Sequence, residues 1–196
     1  MNVLELFCGT KSVGKVCDQL GWISISVDME KKFNPTHLCN IMDFDYKQYP
    51  KDHFGIVWAS PPCTEYSAMN NCIPNKICDI KGANKSVKKT LEIINYFDCE
   101  YWFLENPQTG TLKDQDFMKD LPYYDVDYCK YGHPIRKRTR VWTNKKDWNN
   151  LLCNKDCNSI TDGKHLSLSY LNITGISRLH LRYKVPEDLI FSLFLE

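Results

Sequence analysis

Neither sign of charge dominates this chain: 25 lysines and arginines face 24 acids, for a formal net charge of +1. That balance excludes a polybasic, tail-like binder, although a basic patch can sit inside a neutral total. Long apolar runs are missing too. None reaches the ~18 residues of a membrane span, so no membrane association is expected. The amino end, Met1-Asn-Val-Leu-Glu-Leu-Phe7, has no basic stretch ahead of its apolar residues and does not read as a secretory leader. Internal repeats and low-complexity tracts are absent. So is arginine until Arg136: all five arginines come late, at 136, 138, 140, 178 and 182. In a chain that otherwise uses lysine, a tight arginine triplet suggests a need for forked donors rather than simple charge.

What is present indicates one folded domain spanning 1–196, since 196 residues with 43% hydrophobic and 13% aromatic side chains can bury a proper core. Ten cysteines without a leader imply a reducing compartment, cytoplasm or nucleus, and hence thiols, a metal site or a catalytic thiolate. Along the chain, strands are expected at 2–7, 23–28, around 37–41, 54–59, 101–105, 123–128 and 138–143. Helices are expected at 11–20, 84–97 and 186–194, the last with Pro186 at its start. Segment 64–82 reads as a polar loop, and 144–180 is short and irregular. Strands alternating with helices make an α/β protein with a mostly parallel, Rossmann-like sheet flanked by helices. The motif-bearing loops follow strand ends, where such sheets bind ligands.

The first of these loops, Gly9-Thr-Lys-Ser-Val-Gly14-Lys15, matches a phosphate-binding loop up to its lysine, but Val16 replaces the hydroxyl that would hold Mg²⁺. Asp28 lies nineteen residues after Gly9 at the end of the second strand, where an acid can take ribose hydroxyls. A carboxylate there suits a ligand with a free ribose, such as S-adenosylmethionine. After the fourth strand, Ser60-Pro61-Pro62-Cys63 puts a cysteine on a rigid turn at the ligand edge, where it can act as a nucleophile if its thiolate is stabilised. Glu105-Asn106-Pro107 ends an apolar strand. An acid so placed is costly unless paired or protonated, and a raised pKa would suit it to proton donation.

Taken together, these parts resemble the DNA cytosine-5 methyltransferase family. Leu6-Phe7-Cys8-Gly9 is similar to its cofactor motif, and Pro61-Pro62-Cys63 with Ser67 to its Pro-Cys motif. Glu105-Asn106 resembles its Glu-Asn motif, and Gly132-His-Pro134 followed by Arg136, Arg138 and Arg140 resembles its Gln-x-Arg-x-Arg motif, with Arg136 in place of glutamine. Tyr183-Lys-Val185-Pro186 is similar to a degenerate last motif. The resemblance implies S-adenosyl-L-methionine-dependent methylation of cytosine C5 in nucleic acid, DNA before RNA, with Cys63 adding to C6. It implies catalytic roles for Cys63, Glu105, Arg138 and Arg140. Cofactor contacts would come from Phe7, Gly9, Thr10, Ser12, Asp28, Met29, Asn40, Ile41, Pro61 and Val185. The target base must be flipped or single-stranded, with loop 64–82 placed to close over it.

Departures from the pattern are specific. Lys11 replaces the second glycine of the first loop and would be strained by about 1 kcal/mol if its φ is positive. Asn40 replaces the acid expected to accept from the adenine amine, with Asp43 as a substitute. Only about forty residues separate Arg140 from Tyr183, too few for a target-recognition domain. Low specificity, a partner protein supplying recognition, or a substrate other than duplex DNA follows as the expectation. Within this segment, Cys153, Cys157 and His165 offer three zinc ligands, with Cys129 or His180 as a fourth. The spacing is loose, so an ordinary turn with free thiols is expected and no metal is assigned. His133 is expected to be a loop residue rather than a general base. Three rival readings remain: an idle fold that binds cofactor or nucleic acid, an amino-group methyltransferase, and a phosphotransferase built on the first loop.

Overall fold

The computed structural model describes all residues except 69, 71–72 and 167–177, and only the backbone of 178–180. Cys72 and the side chains of Arg178 and His180 therefore lie outside the described residues. Seven strands form one sheet: β1 (Asn2–Leu6), β2 (Ile23–Asp28), β3 (His37–Leu38), β4 (Ile56–Ala59), β5 (Tyr101–Pro107), β6 (Tyr123–Asp127) and β7 (Arg138–Thr143). Their order is β3-β2-β1-β4-β5-β7-β6. The first five are parallel, while β7 runs antiparallel between β5 and β6. Helices α1 (Ser12–Leu20), α2 (Ile80–Tyr96), α3 (Arg178–Tyr183) and α4 (Glu187–Leu195) complete the main framework. No helix of the described residues is long and apolar enough to cross a membrane.

Successive side chains of a strand face opposite sides of the sheet. Leu4, Val57, Leu104 and Trp142 accordingly pack with Val87, Ile93 and Ile94 of α2 on one face. Val3, Ile56, Phe103 and Val141 pack with Val13 and Val16 of α1 and Leu189, Ile190 and Leu193 of α4 on the other. Both faces are covered, which is why these strands read as continuous apolar runs.

Several boundaries differ from the sequence expectation. Helix α2 starts at Ile80 rather than 84, because the Asp79 carboxylate accepts from Gly82 N–H at 2.8 Å and caps the first turn. Strand β5 runs through Asn106 and Pro107, which stay in register with Arg140 and Thr139. The expected strand at 37–41 is confined to His37–Leu38, and Asn40 then caps a 3₁₀ turn. Region 144–180 contains a small hairpin, β8 (Ile160–Thr161) and β9 (Lys164–His165).

Candidate active site

Every motif singled out in the sequence except the carboxyl-terminal one lies where β1, β2, β4 and β5 end or where antiparallel β7 begins, so the topology gathers them at one edge. After β1 the chain reverses through three residues with left-handed backbone: Phe7 (φ 57°), Gly9 (φ 45°) and Lys11 (φ 54°). The expected strain at Lys11 is therefore present, and its ammonium donates to the Asn34 carbonyl. Gly9 N–H donates to Asp28 Oδ2 at 2.9 Å, and Glu30 N–H donates to Oδ1 at 2.8 Å. Asn40 Oδ1 accepts from Met42 N–H at 3.0 Å, next to buried Ile41. Met29, adjoining Asp28, is 67% exposed. Thr10 and Ser12 hydroxyls lie 3.0 Å apart, and Ser12 Oγ accepts from Val185 N–H at 3.2 Å. That bond joins the first motif to the last across the whole chain.

Sequence reasoning missed Glu5. Its carboxylate is buried under the start of α1 and accepts from Val13 N–H at 3.2 Å and Gly14 N–H at 3.1 Å. Burial, opposed by those two bonds, raises its pKa from 4.5 to about 8. Gly14 eases this close approach: a Cβ there would stand 3.3 Å from Ser24 Oγ and 3.4 Å from Glu5 Oε2, so those side chains would have to give by a few tenths of an ångström. A phosphate at this helix start would find two of its backbone donors already taken by an internal carboxyl group. The loop therefore does not work as a phosphate cradle. The only sequence signal was an acid set among apolar residues in a central strand.

At the end of β4, Trp58 Nε1 donates to Ser60 Oγ at 2.9 Å and the chain enters the Pro-Pro-Cys turn, with Pro61 buried and Cys63 half-buried. Asn106 holds this turn: its Nδ2 donates to the Pro61 carbonyl at 2.9 Å. Its Oδ1 is, among the described residues, the buried side-chain oxygen left without a partner. Glu105 points to the opposite face of β5. Its Oε1 accepts from Tyr128 hydroxyl at 2.7 Å and from Lys137 Nζ at 3.3 Å. Burial, with the Glu105 charge adding, drives the Tyr128 phenol far above its ordinary range, so it remains a neutral donor. Burial also pushes the Cys63 thiol up, Glu105 adding and Lys137 opposing. The resting group is therefore a thiol, and these surroundings alone do not supply the stabilised thiolate that nucleophilic attack requires.

The arginine motif divides its labour. Arg136 makes paired bonds to Asp127, both 2.9 Å, and Arg140 makes paired bonds to Asp125 at 2.7 and 2.8 Å while stacking 3.5 Å over the Tyr123 ring. Arg140 is in register with Asn106 and Asp125, which puts it on the face opposite Glu105. Arg138, at the strand's start, has a side chain 56% exposed and 3.8 Å from Asp127. Lys137, passed over in the sequence for its arginine neighbours, is the cation of this motif that reaches Glu105. His133 is buried, its Nε2 3.1 Å from the Leu181 carbonyl and its pKa lowered by burial. It acts as a loop brace, as expected. Next to this strand, Cys129, Cys153, Cys157 and His165 converge in space.

No protein-family model matches the chain. A Frog virus 3 protein named a probable DNA (cytosine-5)-methyltransferase is 31% identical over 216 aligned residues, covering 98% of each chain. Among solved structures, the S. pombe Dnmt2 methyltransferase aligns with 88% of this chain at a TM-score of 0.53 and 13% identity. A protein described as a DNA modification methyltransferase, encoded within an E. coli prophage, aligns with 73% at a TM-score of 0.55 and 13% identity. The chain spans 60% and 46% of those two structures' lengths, respectively.

Proposed function

The chain belongs to the DNA (cytosine-5)-methyltransferase family, and on that premise we propose that it methylates cytosine C5 in nucleic acid, DNA first, through a covalent Cys63 adduct at C6. The observation that carries this reading is the joint seating of the Pro-Pro-Cys turn, Glu105 and the first loop at one sheet edge, with Asn106 bonded to Pro61.

The donor set fits S-adenosylmethionine. Asp28 has one backbone N–H on each oxygen and keeps lone pairs for ribose hydroxyls. Exposed Met29 offers an apolar surface beside it. Phe7, Gly9, Thr10, Ser12, Asn40, Ile41, Pro61 and Val185 are the other residues proposed to line the site. When bound, S-adenosylmethionine supplies an electrophilic methyl group on a sulfonium.

Cytosine C5 is too weak a nucleophile to take that methyl group unaided. Cys63 sulfur adds to C6 and makes C5 enamine-like, the thiol proton passing to the pair formed by Glu105 and base N3. Glu105 also contacts the exocyclic amine. The negative charge that disfavours the thiolate is thus neutralised as the base seats, which couples attack to correct docking. Arg138 shares the face of Arg140 but starts β7 at the site's edge, where its largely exposed side chain has forked donors for the base carbonyl or a phosphate, whereas those of Arg140 are held by Asp125. Loss of the C5 proton then releases Cys63. With 144–180 in place of a recognition domain, sequence reading falls to a partner protein or is weak.

The test is transfer of labelled methyl from S-adenosylmethionine to duplex DNA, single-stranded DNA and RNA, with product bases identified by mass spectrometry. 5-Methylcytosine is expected from the wild type and none from Cys63→Ala. The same variant should not be trapped on 5-fluorocytosine, where fluorine blocks the final proton loss; trapping that persists removes Cys63 from the mechanism. Cofactor binding with no product on any substrate would favour the idle reading, for which strained Lys11 is the motivating observation.

A further inference from the structure

The four side chains beside the arginine strand come from three separate places. Cys129 belongs to the single 3₁₀ turn Tyr128–Tyr131 that follows β6. Cys153 and Cys157 flank a tight reversal in which Lys155 has φ 64° and Asn154 N–H donates to Asp156 Oδ1 at 3.1 Å. His165 ends the hairpin, whose turn residues Asp162 and Gly163 have φ of 51° and 71°, the pattern of a tight two-residue hairpin turn. The three sulfurs and one ring nitrogen all lie within 4.8 Å of one another. Cys153 Sγ is 3.2 Å from His165 Nε2.

Tetrahedral zinc with Zn–S near 2.3 Å and Zn–N near 2.0 Å sets its ligand atoms about 3.5–3.8 Å apart, so shifts of about 1 Å or less, opening the Cys153–His165 pair and drawing the wider pairs in, close the shell. Three thiols and an imidazole around one point, with Cys129 and Cys153 buried, are soft donors that suit Zn²⁺ rather than Mg²⁺ or Ca²⁺. The surroundings hold the ligands in place. Cys153 N–H donates to Asp127 Oδ2 at 2.9 Å, and Lys130 pairs with Asp156 at 2.7 Å. Lys130 and Arg136 also offset the net negative charge of a zinc tris-thiolate.

We propose that Cys129, Cys153, Cys157 and His165 form a structural zinc site that fastens the 150–166 segment to the turn between β6 and β7. The segment replacing a recognition domain is then pinned beside Arg138: Leu152, Cys153 and Asn154 wall a cavity of about 300 Å³ with Gln108, Arg136 and Arg138.

The full chain, expressed with zinc, should retain one metal per chain by elemental analysis. Replacement by Co²⁺ should give the visible absorption of a tetrahedral thiolate site. Cys129→Ser and Cys157→Ser should each lower retained metal severalfold and weaken that band. His165→Cys should keep one metal while shifting the spectrum toward four thiolates, a readout that guards against variants that merely unfold. The proposal is overturned if the wild type carries no zinc and gives no cobalt band, if two of the three cysteines form a disulfide in the purified chain, or if metal binds and these substitutions leave the spectrum unchanged. None of these readouts depends on methyl transfer.

Discussion

The two halves of the site are held by different forces. On the cofactor side, the acids answer to the backbone: Asp28 takes the N–H groups of Gly9 and Glu30, and Glu5 those of Val13 and Gly14. On the substrate side, charge answers to charge: Arg136 to Asp127, Arg140 to Asp125, Lys137 to Glu105. A backbone donor is present whatever the residue, so the first half absorbs odd substitutions such as Lys11 and Asn40. An ion pair needs two particular side chains, so the second half depends on each partner.

The largest effect should come from breaking an ion-held point. Asp127 is 1% exposed and serves Arg136 twice and Cys153 once. Asp127→Asn should cost about 3 kcal/mol, because it leaves a partly buried guanidinium without its counter-charge. Asp28→Asn, on the backbone-held side, should cost about 1 kcal/mol. Urea unfolding of both variants measures the contrast, and equal losses would erase the distinction between the halves.

Glu5 sharpens the comparison by showing where backbone donors fall short. Its carboxyl is protonated up to about 8 in the folded chain, against 4.5 for an ordinary glutamate. Between those values the folded state holds a proton that the unfolded state lacks, so stability falls as pH rises. The fall starts near 4.5 and levels off above about 8. The slope reaches roughly 1.4 kcal/mol per pH unit. Glu5→Gln cannot titrate: it should be less stable than wild type at pH 5, with one of two N–H groups poorly served, but flatter up to pH 7.5. A variant with the wild-type slope would assign the titration to another group.

The same contrast decides what the sequence made legible. The apolar runs through Val3–Leu4 and Phe103–Leu104 are local, so a mostly parallel sheet covered on both faces could be read directly, whereas the place of antiparallel β7 between β5 and β6 could not. Cys63, Glu105 and Asn106 could be placed because strand ends lie together in a parallel sheet. Lys137 could not, since its neighbours are arginines and its partner Glu105 is 32 residues away. Cys129 sits 24 residues before Cys153 and 36 before His165. The sequence offers Cys129 and His180 as alternative fourth partners of Cys153, Cys157 and His165; that Cys129 joins them depends on β6 and β7 forming a hairpin and the following segment folding back, which no spacing rule encodes. Glu5 was obscured by the opposite cause: its partners are backbone atoms, which leave no residue-specific trace.

The smallest effect belongs to Lys11. It starts α1 from a left-handed conformation, φ 54° and ψ 44°, where a side chain costs about 1 kcal/mol relative to glycine. The compensating bond from its ammonium to Asn34 is exposed and returns little. Lys11→Gly should therefore raise stability by about 0.5–1 kcal/mol, read as a higher urea midpoint at unchanged slope. It should also tighten S-adenosylmethionine binding, because Gly9 and Ser12 on either side then hold their positions without opposing strain. If stability falls instead, the tether to Asn34 matters more than the backbone. The cofactor side would then depend on a particular side-chain contact, as the substrate side does, and the contrast between the halves would fail at the point where the backbone is most strained.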